Sequence, residues 1–325
     1  MAKISPVAAV LGEPHFGLST HLYECLCTSV TTIIHGAWAV NFNMTLSSFE
    51  KPFISSVTRL LEFAMHSACS PKPTFCLLSS VASVLRVKDR PIKEVLYDWE
   101  GTSDMGYGQS KWVAERICNM ASQHAEICGI CFPVRIIRAG QVAGDTHYGV
   151  WNPKEAIPMI VQSAITTGAL PITNGLRDTH FWLPVDLAVA SIVEIALCTP
   201  ACTPEGSASV FHVANPTPVR WSSEFLPALQ RHGLHFEAVP AGDWLRRVES
   251  LGVDTEDNPT RHLLEWLKRR YEPKVGSEAQ EDKLEMDMTI SRQYSKTLGN
   301  GMDISDKLVG KFLRYWEQLG GWKKM

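Results

Sequence analysis

Short apolar runs alternate with longer amphipathic stretches through the first half of the chain. The runs are rich in β-branched residues and end at small or polar residues, a pattern that predicts buried parallel strands. The stretches between them carry apolar residues at helical spacing. The predicted strands are Val7–Leu11, Thr31–Ala37, Thr74–Leu78 and Val134–Arg138, and the predicted helices are Thr20–Ser29, Pro52–Ser67 and Tyr107–Ala125. This alternation predicts an α/β fold with a doubly wound, Rossmann-like parallel sheet.

The second half is less regular and mostly helical. Its predicted elements are helices at Ile157–Thr167, Asp186–Leu197 and Ile304–Leu319, a strand at residues 209–214 that returns to the sheet, and a polar loop at Lys274–Lys283. We therefore divide the chain into a core, residues 1–150, and a substrate-binding or lid region, residues 151–325. Four tryptophans of that region either line an apolar pocket or pack in its core: Trp151, Trp182, Trp221 and Trp244.

Small and polar residues follow three of the predicted strands. They are Gly36-Ala37, Ser79-Ser80 and Ala139-Gly140-Gln141. Because ligands of doubly wound sheets bind at the carboxyl ends of the strands, these residues mark the expected binding edge.

Tyr107 and Lys111 stand four residues apart at the start of a predicted helix. That spacing places both side chains on one helix face. A positive charge beside a phenol favours the phenolate, so we expect Lys111 to lower the pKa of Tyr107 and the pair to act in acid–base chemistry.

Charge and cysteine content exclude several functions. A net charge of −3, from 31 basic and 34 acidic residues, gives no case for binding nucleic acid or an anionic membrane. No apolar run is long enough for a membrane span. The nine cysteines are scattered, and the CxxC at Cys128 and Cys131 has no partner pair for zinc, so we expect reduced thiols, no metal site and a cytoplasmic location.

The ordered motifs resemble those of the extended short-chain dehydrogenases/reductases. The closest resemblance is to the thioester reductase domains of nonribosomal peptide synthetases, polyketide synthases and carboxylic acid reductases. The segments that carry it are Gly17–Ser19, Ile34–Asn41, Leu78–Ser80, the Tyr107/Lys111 pair, Arg138–Asp145, Trp151-Asn152, Trp182–Asp186 and Phe211–Pro216.

This resemblance implies a function and a site. Ser80 (or Ser79, one register position away) would bind the substrate carbonyl, Tyr107 would donate a proton, and Lys111 would hold the nicotinamide ribose. The implied cofactor is NADPH, bound by Gly36, Ala37, Lys111, Ala139 and Gly140. The implied substrate is an acyl thioester presented by an acyl or peptidyl carrier protein in secondary metabolism.

The printed sequence lacks the Gly-x-x-Gly-x-x-Gly turn with which this family binds the cofactor pyrophosphate. We therefore expect an N-terminally truncated member with an incomplete sheet, whose exposed edge favours self-association. Three functions remain open: a thioester reductase, a cofactor-independent isomerase or cyclase that uses Ser80, Tyr107 and Lys111, and a non-catalytic remnant.

Overall fold

The computed structural model describes residues 3–174, 178–198, 207–251, 259–271, 285–299 and 303–319. They divide into two compact units. Unit 1 comprises Met1–Gly140, Ala190–Val213 and Leu284–Gly299, and unit 2 comprises Gln141–Val189, Ala214–Lys283 and Asn300–Met325. The units thus interleave along the chain and differ from the predicted division at residue 150. The substrate-binding role of residues 151–325 stays a prediction.

Unit 1 is built on a four-stranded parallel sheet in the order β1-β2-β3-β8. Its strands are β1 (Thr32–His35), β2 (Thr74–Ser80), β3 (Val134–Ala139) and β8 (Ser209–Val213). Its helices are α1 (Thr20–Ser29), α2 (Leu46–Phe49), α3 (Ser55–His66), α4 (Gly106–Ile127), α10 (Thr289–Tyr294), α11 (Lys296–Gly299) and the part of α6 (Val185–Leu197) that begins at Ala190. The Rossmann-like parallel sheet and the returning strand at 209–214 are confirmed.

The core of unit 1 is mainly aliphatic. Apolar residues of α3 and α4 pack against β2 and β3, with Leu61, Phe75, Ala114 and Ile136 at most 3% exposed. Burial of these strands explains their near-continuous apolar sequence. Because α4 packs directly on β2, its first turns are held beside the carboxyl end of that strand.

Unit 2 contains α5 (Ala156–Thr167), α7 (Leu226–Arg231), α8 (Ala241–Ser250), α9 (Leu264–Tyr271), α12 (Asp306–Gln318) and the first residues of α6. Its short strands pair as β4 (Val142–Ala143) with β7 (Leu183–Pro184), β5 (Ala169–Ile172) with β10 (Glu237–Pro240), and β6 (Thr179–His180) with β9 (Val219–Arg220). Trp151, Trp182, Trp221 and Trp244 are at most 2% exposed and lie in one apolar cluster. These tryptophans therefore pack in the core of unit 2 and do not line an open pocket.

Two expectations are corrected, and a third is not tested. Val7–Leu11 is not a strand: Val7 and Val10 are exposed, and the Val10 N–H donates to Phe16 O in a turn. An apolar run forms a strand only where another strand pairs with it. Glu237–Pro240 is a strand inside a region predicted to be helical. The predicted loop at Lys274–Lys283 lies outside the described residues.

The cysteines also differ from the prediction that all are reduced. Cys131 is disulfide-bonded. Cys128 is a free thiol, so the CxxC spacing does not itself form the bond. Pairing over a longer stretch of chain cannot be deduced from spacing. Among the described residues, no group of three or more His, Cys, Asp or Glu residues could hold a metal ion.

Candidate active site

The carboxyl ends of the sheet strands bring the predicted site residues of unit 1 to one edge. Ser80 at the end of β2 pairs in register with Ala139 at the end of β3. Gly36 follows the end of β1, and a Cβ placed on it would lie 3.0 Å from Leu78 of β2. Gly36 and Ala37 are exposed, and Ala139 and Gly140 are half-buried. These residues therefore lie at one edge of the sheet, and their role in binding stays a prediction.

Helix α4 brings Tyr107 and Lys111 to this edge. Its second residue is Tyr107, and the turn that follows Ser80 packs against the helix at Gly108. A Cβ on Gly108 would lie 2.5 Å from the carbonyl oxygen of Ala82, so only glycine permits this approach. The close approach places Tyr107 beside Ser80.

Ser80 lies beside Tyr107, and its hydroxyl acts on the phenol to lower the pKa of Tyr107. Ser79 points elsewhere: its hydroxyl donates to the Glu115 carboxylate at 2.5 Å. Successive residues of a strand face opposite sides, so only one of the two serines can reach Tyr107. The structure places Ser80 in that position and Ser79 in a buried polar cluster.

The pKa of Tyr107 is raised, not lowered as expected from its spacing to Lys111. Burial is the main cause, and the Ser80 hydroxyl opposes it. Tyr107 is 8% exposed, with the rings of Phe42 and Phe49 packed edge-on against it. The Lys111 ammonium lies 6.0 Å from the Tyr107 ring centroid, so desolvation outweighs its charge.

Lys111 is almost fully enclosed, at 3% exposed. Its ammonium donates to the Leu78 carbonyl at 2.6 Å and lies 4.0 Å from the centre of the Trp38 ring, a cation–π contact. Burial lowers the pKa of Lys111 to about 7, while the charge of Glu115 opposes that change. The lysine therefore exchanges its proton near neutral pH.

Sequence reasoning missed several residues that fix this site. Trp38 covers the Lys111 ammonium and donates from Nε1 to the Ser110 hydroxyl at 3.1 Å. Glu115 lies one turn beyond Lys111 and is 1% exposed. The repeat of the four-residue spacing from Tyr107 through Lys111 to Glu115 was a signal that could have revealed Glu115.

Two buried residues near this edge have structural contacts only. His35 is 4% exposed, and its Nε2 lies 3.4 Å from the Ser56 hydroxyl. Cys76 is fully buried in β2, and burial raises the pKa of its thiol to about 12. Neither side chain is placed for nucleophilic or ligand chemistry.

The residues present fit one end of a nicotinamide dinucleotide. A phenol, an ammonium and the exposed backbone after β1 are the donor types that a nicotinamide and its ribose require, and they meet at one edge. The printed sequence has no glycine-rich turn, so we assign no residue to the pyrophosphate.

A family model described as male sterility protein matches residues 1–192. The non-canonical non-ribosomal peptide synthetase ascB of Acremonium egyptiacum is 31% identical over 323 residues, which are 98% of this chain and 27% of that protein. A carboxylic acid reductase of Neurospora crassa is 31% identical over 317 residues, which are 95% of this chain and 29% of that protein. The chain therefore spans less than a third of the length of these relatives.

The fold also matches solved structures. The terminal R domain from the myxalamid PKS-NRPS biosynthetic pathway superposes with a TM-score of 0.76 at 22% identity, covering 97% of this chain and 75% of that one. Among the described residues, no helix is long and apolar enough to span a membrane. The chain belongs to the male sterility protein family of NAD(P)-binding, extended short-chain dehydrogenases/reductases, and it is similar in sequence to a peptide synthetase and to a carboxylic acid reductase.

Proposed function

We propose that this protein reduces an acyl thioester of secondary metabolism, with NADPH as the hydride source, and so releases the acyl group from a carrier protein. The observation that carries the proposal is the placement of Ser80 at the carboxyl end of β2, beside Tyr107 and Lys111 on the first two turns of α4. The relatives named as peptide synthetase and carboxylic acid reductase support the substrate class.

Each residue of the site has a role in this proposal. The Ser80 hydroxyl would donate to the thioester carbonyl oxygen, where negative charge develops. Burial keeps Tyr107 protonated at neutral pH, so its hydroxyl can give a proton to that oxygen. The Lys111 ammonium, together with the backbone at Gly36-Ala37 and Ala139-Gly140, would hold the nicotinamide ribose.

When bound at this edge, a reduced nicotinamide would supply the hydride that the carbonyl carbon takes up. In the balanced reaction, a thioester, one hydride and one proton give an aldehyde and a free thiol. As the thiolate leaves and the carbonyl re-forms, the hydroxyl of the tetrahedral intermediate returns its proton to Tyr107. The thiolate then takes one proton from Tyr107 or from water, and this is the single proton that the reaction consumes. No metal is assigned a part in this scheme.

The proposed partner is an acyl or peptidyl carrier protein, because such a carrier presents thioesters in synthetases of the kind to which the relatives belong. We also propose that the protein acts in the cytoplasm. Reduced nicotinamide cofactor is available there for the synthesis of secondary metabolites.

Two measurements test the function. We first expect NADPH to bind the purified 325-residue chain more tightly than NADH does, as read by calorimetry. We then expect NADPH oxidation, followed by absorbance, to require an acyl-pantetheine thioester and to yield an aldehyde. A folded chain that binds no NADPH at millimolar concentration would contradict the proposal and favour a cofactor-independent isomerase or cyclase.

Tyr107→Phe removes the proton donor and keeps the ring that packs against Phe42 and Phe49. We expect the turnover rate to fall roughly 10²- to 10⁴-fold with little loss of stability. The matched control is Tyr97→Phe, which removes a hydroxyl that accepts the Lys93 N–H and has no role in the proposed chemistry. Equal rates in both variants would exclude Tyr107 as the donor.

Self-association remains a prediction, now placed on β1. This strand is at one end of the described sheet, and its Ile34 side chain is 42% exposed. Such an edge can pair with a second copy of the chain. Light scattering over a range of concentrations should show a rising mass that Ile34→Lys suppresses; a constant monomer mass would contradict it.

A further inference from the structure

Glu115 lies at the centre of a buried polar cluster directly beneath the site. It follows Tyr107 and Lys111 at the same four-residue spacing on α4 and is 1% exposed. Its carboxylate accepts hydrogen bonds from three side chains: the Ser79 hydroxyl at 2.5 Å, the Ser83 hydroxyl at 2.7 Å and the Arg138 guanidinium at 2.7 Å. We call these four residues the Glu115 cluster.

The cluster holds the backbone on both sides of Ser80. Ser79 precedes Ser80 in β2, and Ser83 ends the short helical turn that follows it. The Ser83 hydroxyl also lies 2.8 Å from the Ser80 carbonyl. Since Glu115 and Tyr107 share one helix, the hydrogen bonds to Ser79 and Ser83 fix Ser80 relative to Tyr107.

Arg138 anchors the cluster to the sheet. It is fully buried in β3, pairs in register with Ser79, and donates from Nη1 to the Val95 carbonyl at 2.9 Å. The ion pair with Glu115 is therefore held from two sides and cannot swing toward the Tyr107 hydroxyl. Nothing in the cluster touches the proposed reacting atoms.

Glu115 also supplies the charge that acts on Lys111. The ionisable groups that interact electrostatically with Lys111 are Glu115 and Cys118 on α4, and His35 on β1. Burial raises the pKa of Cys118 well above its usual value and lowers the pKa of His35 to about 4. The thiol and the imidazole are thus uncharged near pH 7, which leaves the carboxylate.

We propose that Glu115 is a positioning residue: it sets Ser80 opposite Tyr107 and places a negative charge one turn from Lys111, which favours the protonated form of that lysine. For its activity readout, this inference rests on the proposed thioester reduction. Its electrostatic half can be measured on the protein alone.

The experiment compares four forms of the full chain. Glu115→Gln alone leaves the buried Arg138 charge unpaired and is expected to fold poorly. The informative variant is therefore the double substitution Glu115→Gln with Arg138→Gln, which removes both charges and keeps groups able to hydrogen-bond. Glu115→Asp keeps the charge but shortens the reach to Ser79 and Ser83. The matched control is Glu94→Gln, a buried carboxylate that instead accepts from the backbone of Ile290 and Ser291.

The first readout is the protonation of Lys111, followed by NMR of ¹³C-labelled lysine and assigned with Lys111→Arg. We expect a midpoint near 7 in the unmodified chain. In the double variant the midpoint should fall by about 1 pH unit, because the Glu115 charge that raises the pKa of Lys111 is lost and Arg138 is not among the groups that shift that pKa. In Glu115→Asp and in Glu94→Gln the midpoint of the Lys111 titration should stay near its value in the unmodified chain. An unchanged midpoint in the double variant would overturn the electrostatic role.

The second readout is turnover of the acyl-pantetheine thioester. We expect the double variant to lose about 10²-fold in kcat with KM changed less than about threefold, as for a displaced catalytic group. Glu115→Asp should recover part of that loss, and Glu94→Gln should match the unmodified chain. If kcat falls equally in the double variant and in Glu94→Gln, the role of Glu115 is only structural and the proposal fails. If the unmodified chain reduces no thioester, the proposed function fails, and the Lys111 titration alone decides the role of Glu115.

Discussion

The two units bury different kinds of side chain. Among the described residues, unit 1 buries seven charged or imidazole side chains: His35, Glu94, Lys111, Glu115, Arg135, Arg138 and His212. Unit 2 buries two, Asp178 and His180, and instead holds the four largest fully buried side chains, Trp182, Trp221, Trp244 and Trp316. Each set therefore belongs to one unit.

This difference separates chemistry from packing. Buried charges carry a high desolvation cost and persist only where partners satisfy them, so they mark positions where polar geometry is fixed. Buried tryptophans remove large apolar areas from water and mark positions that stabilise the fold. The candidate site of unit 1 belongs to the first kind, and the tryptophans that the sequence suggested for a pocket belong to the second.

The largest expected effect comes from breaking the buried ion pair. Arg138→Met leaves the Glu115 carboxylate, 1% exposed at its side chain, without its partner, which should lower the free energy of unfolding by about 3 to 5 kcal/mol. In unit 2, Arg247→Met breaks a pair whose side chains are 40% and 64% exposed, and we expect a loss below about 1 kcal/mol. Urea unfolding followed by circular dichroism compares the two. Similar losses would mean that the buried pair is not a special feature of unit 1.

Acid should destabilise unit 1 through its two buried imidazoles. Burial, with the nearby charges of Lys111 and Arg138 respectively, lowers the pKa of both His35 and His212 to about 4. In the unfolded chain a histidine takes up its proton near pH 6.5, so the stabilising contribution is complete above that pH and is lost as the pH falls toward 4. Each histidine should contribute up to about 3 kcal/mol of pH-dependent stability across that window.

Unfolding in urea at about pH 7 and about pH 5 measures this loss. His35→Gln should reduce the difference in the free energy of unfolding between the two pH values, because one of the two titrating groups is gone. A stability that stays constant between the two pH values in the unmodified chain would show that neither imidazole is held neutral.

The sequence predicted the elements that depend on local signals. Helix α1 begins and ends where expected because the Ser19 hydroxyl caps it by accepting the Leu22 N–H. Strand β2 and helix α4 were predicted from an apolar run and helical spacing. The choice between Ser79 and Ser80 was not predictable, since it depends on which one meets Glu115 across the interior.

The properties that failed prediction depend on distant parts of the chain. The pKa of Tyr107 is raised because Phe42 and Phe49, far from it in sequence, help to bury the phenol. Helical spacing correctly predicted that Lys111 lies near Tyr107. It did not predict the burial of Tyr107, whose effect on the Tyr107 pKa outweighs that of the Lys111 charge. Long-range burial, and not the local motif, therefore sets the electrostatics of this site.

The smallest expected effect separates two tryptophans within unit 2. Trp182 and Trp244 are both fully buried, but Trp244 Nε1 donates to the Ser163 hydroxyl at 3.0 Å, whereas Trp182 Nε1 has no hydrogen-bond partner among the described residues. Replacing either by phenylalanine removes similar volume, so the cavity contribution largely cancels between the two variants. Only Trp244→Phe also removes a hydrogen bond, so we expect it to lower the free energy of unfolding by about 1 kcal/mol more than Trp182→Phe. A larger loss for Trp182→Phe would mean that its indole N–H has a partner, such as an ordered water, and that the core of unit 2 is less purely apolar than its contrast with unit 1 implies.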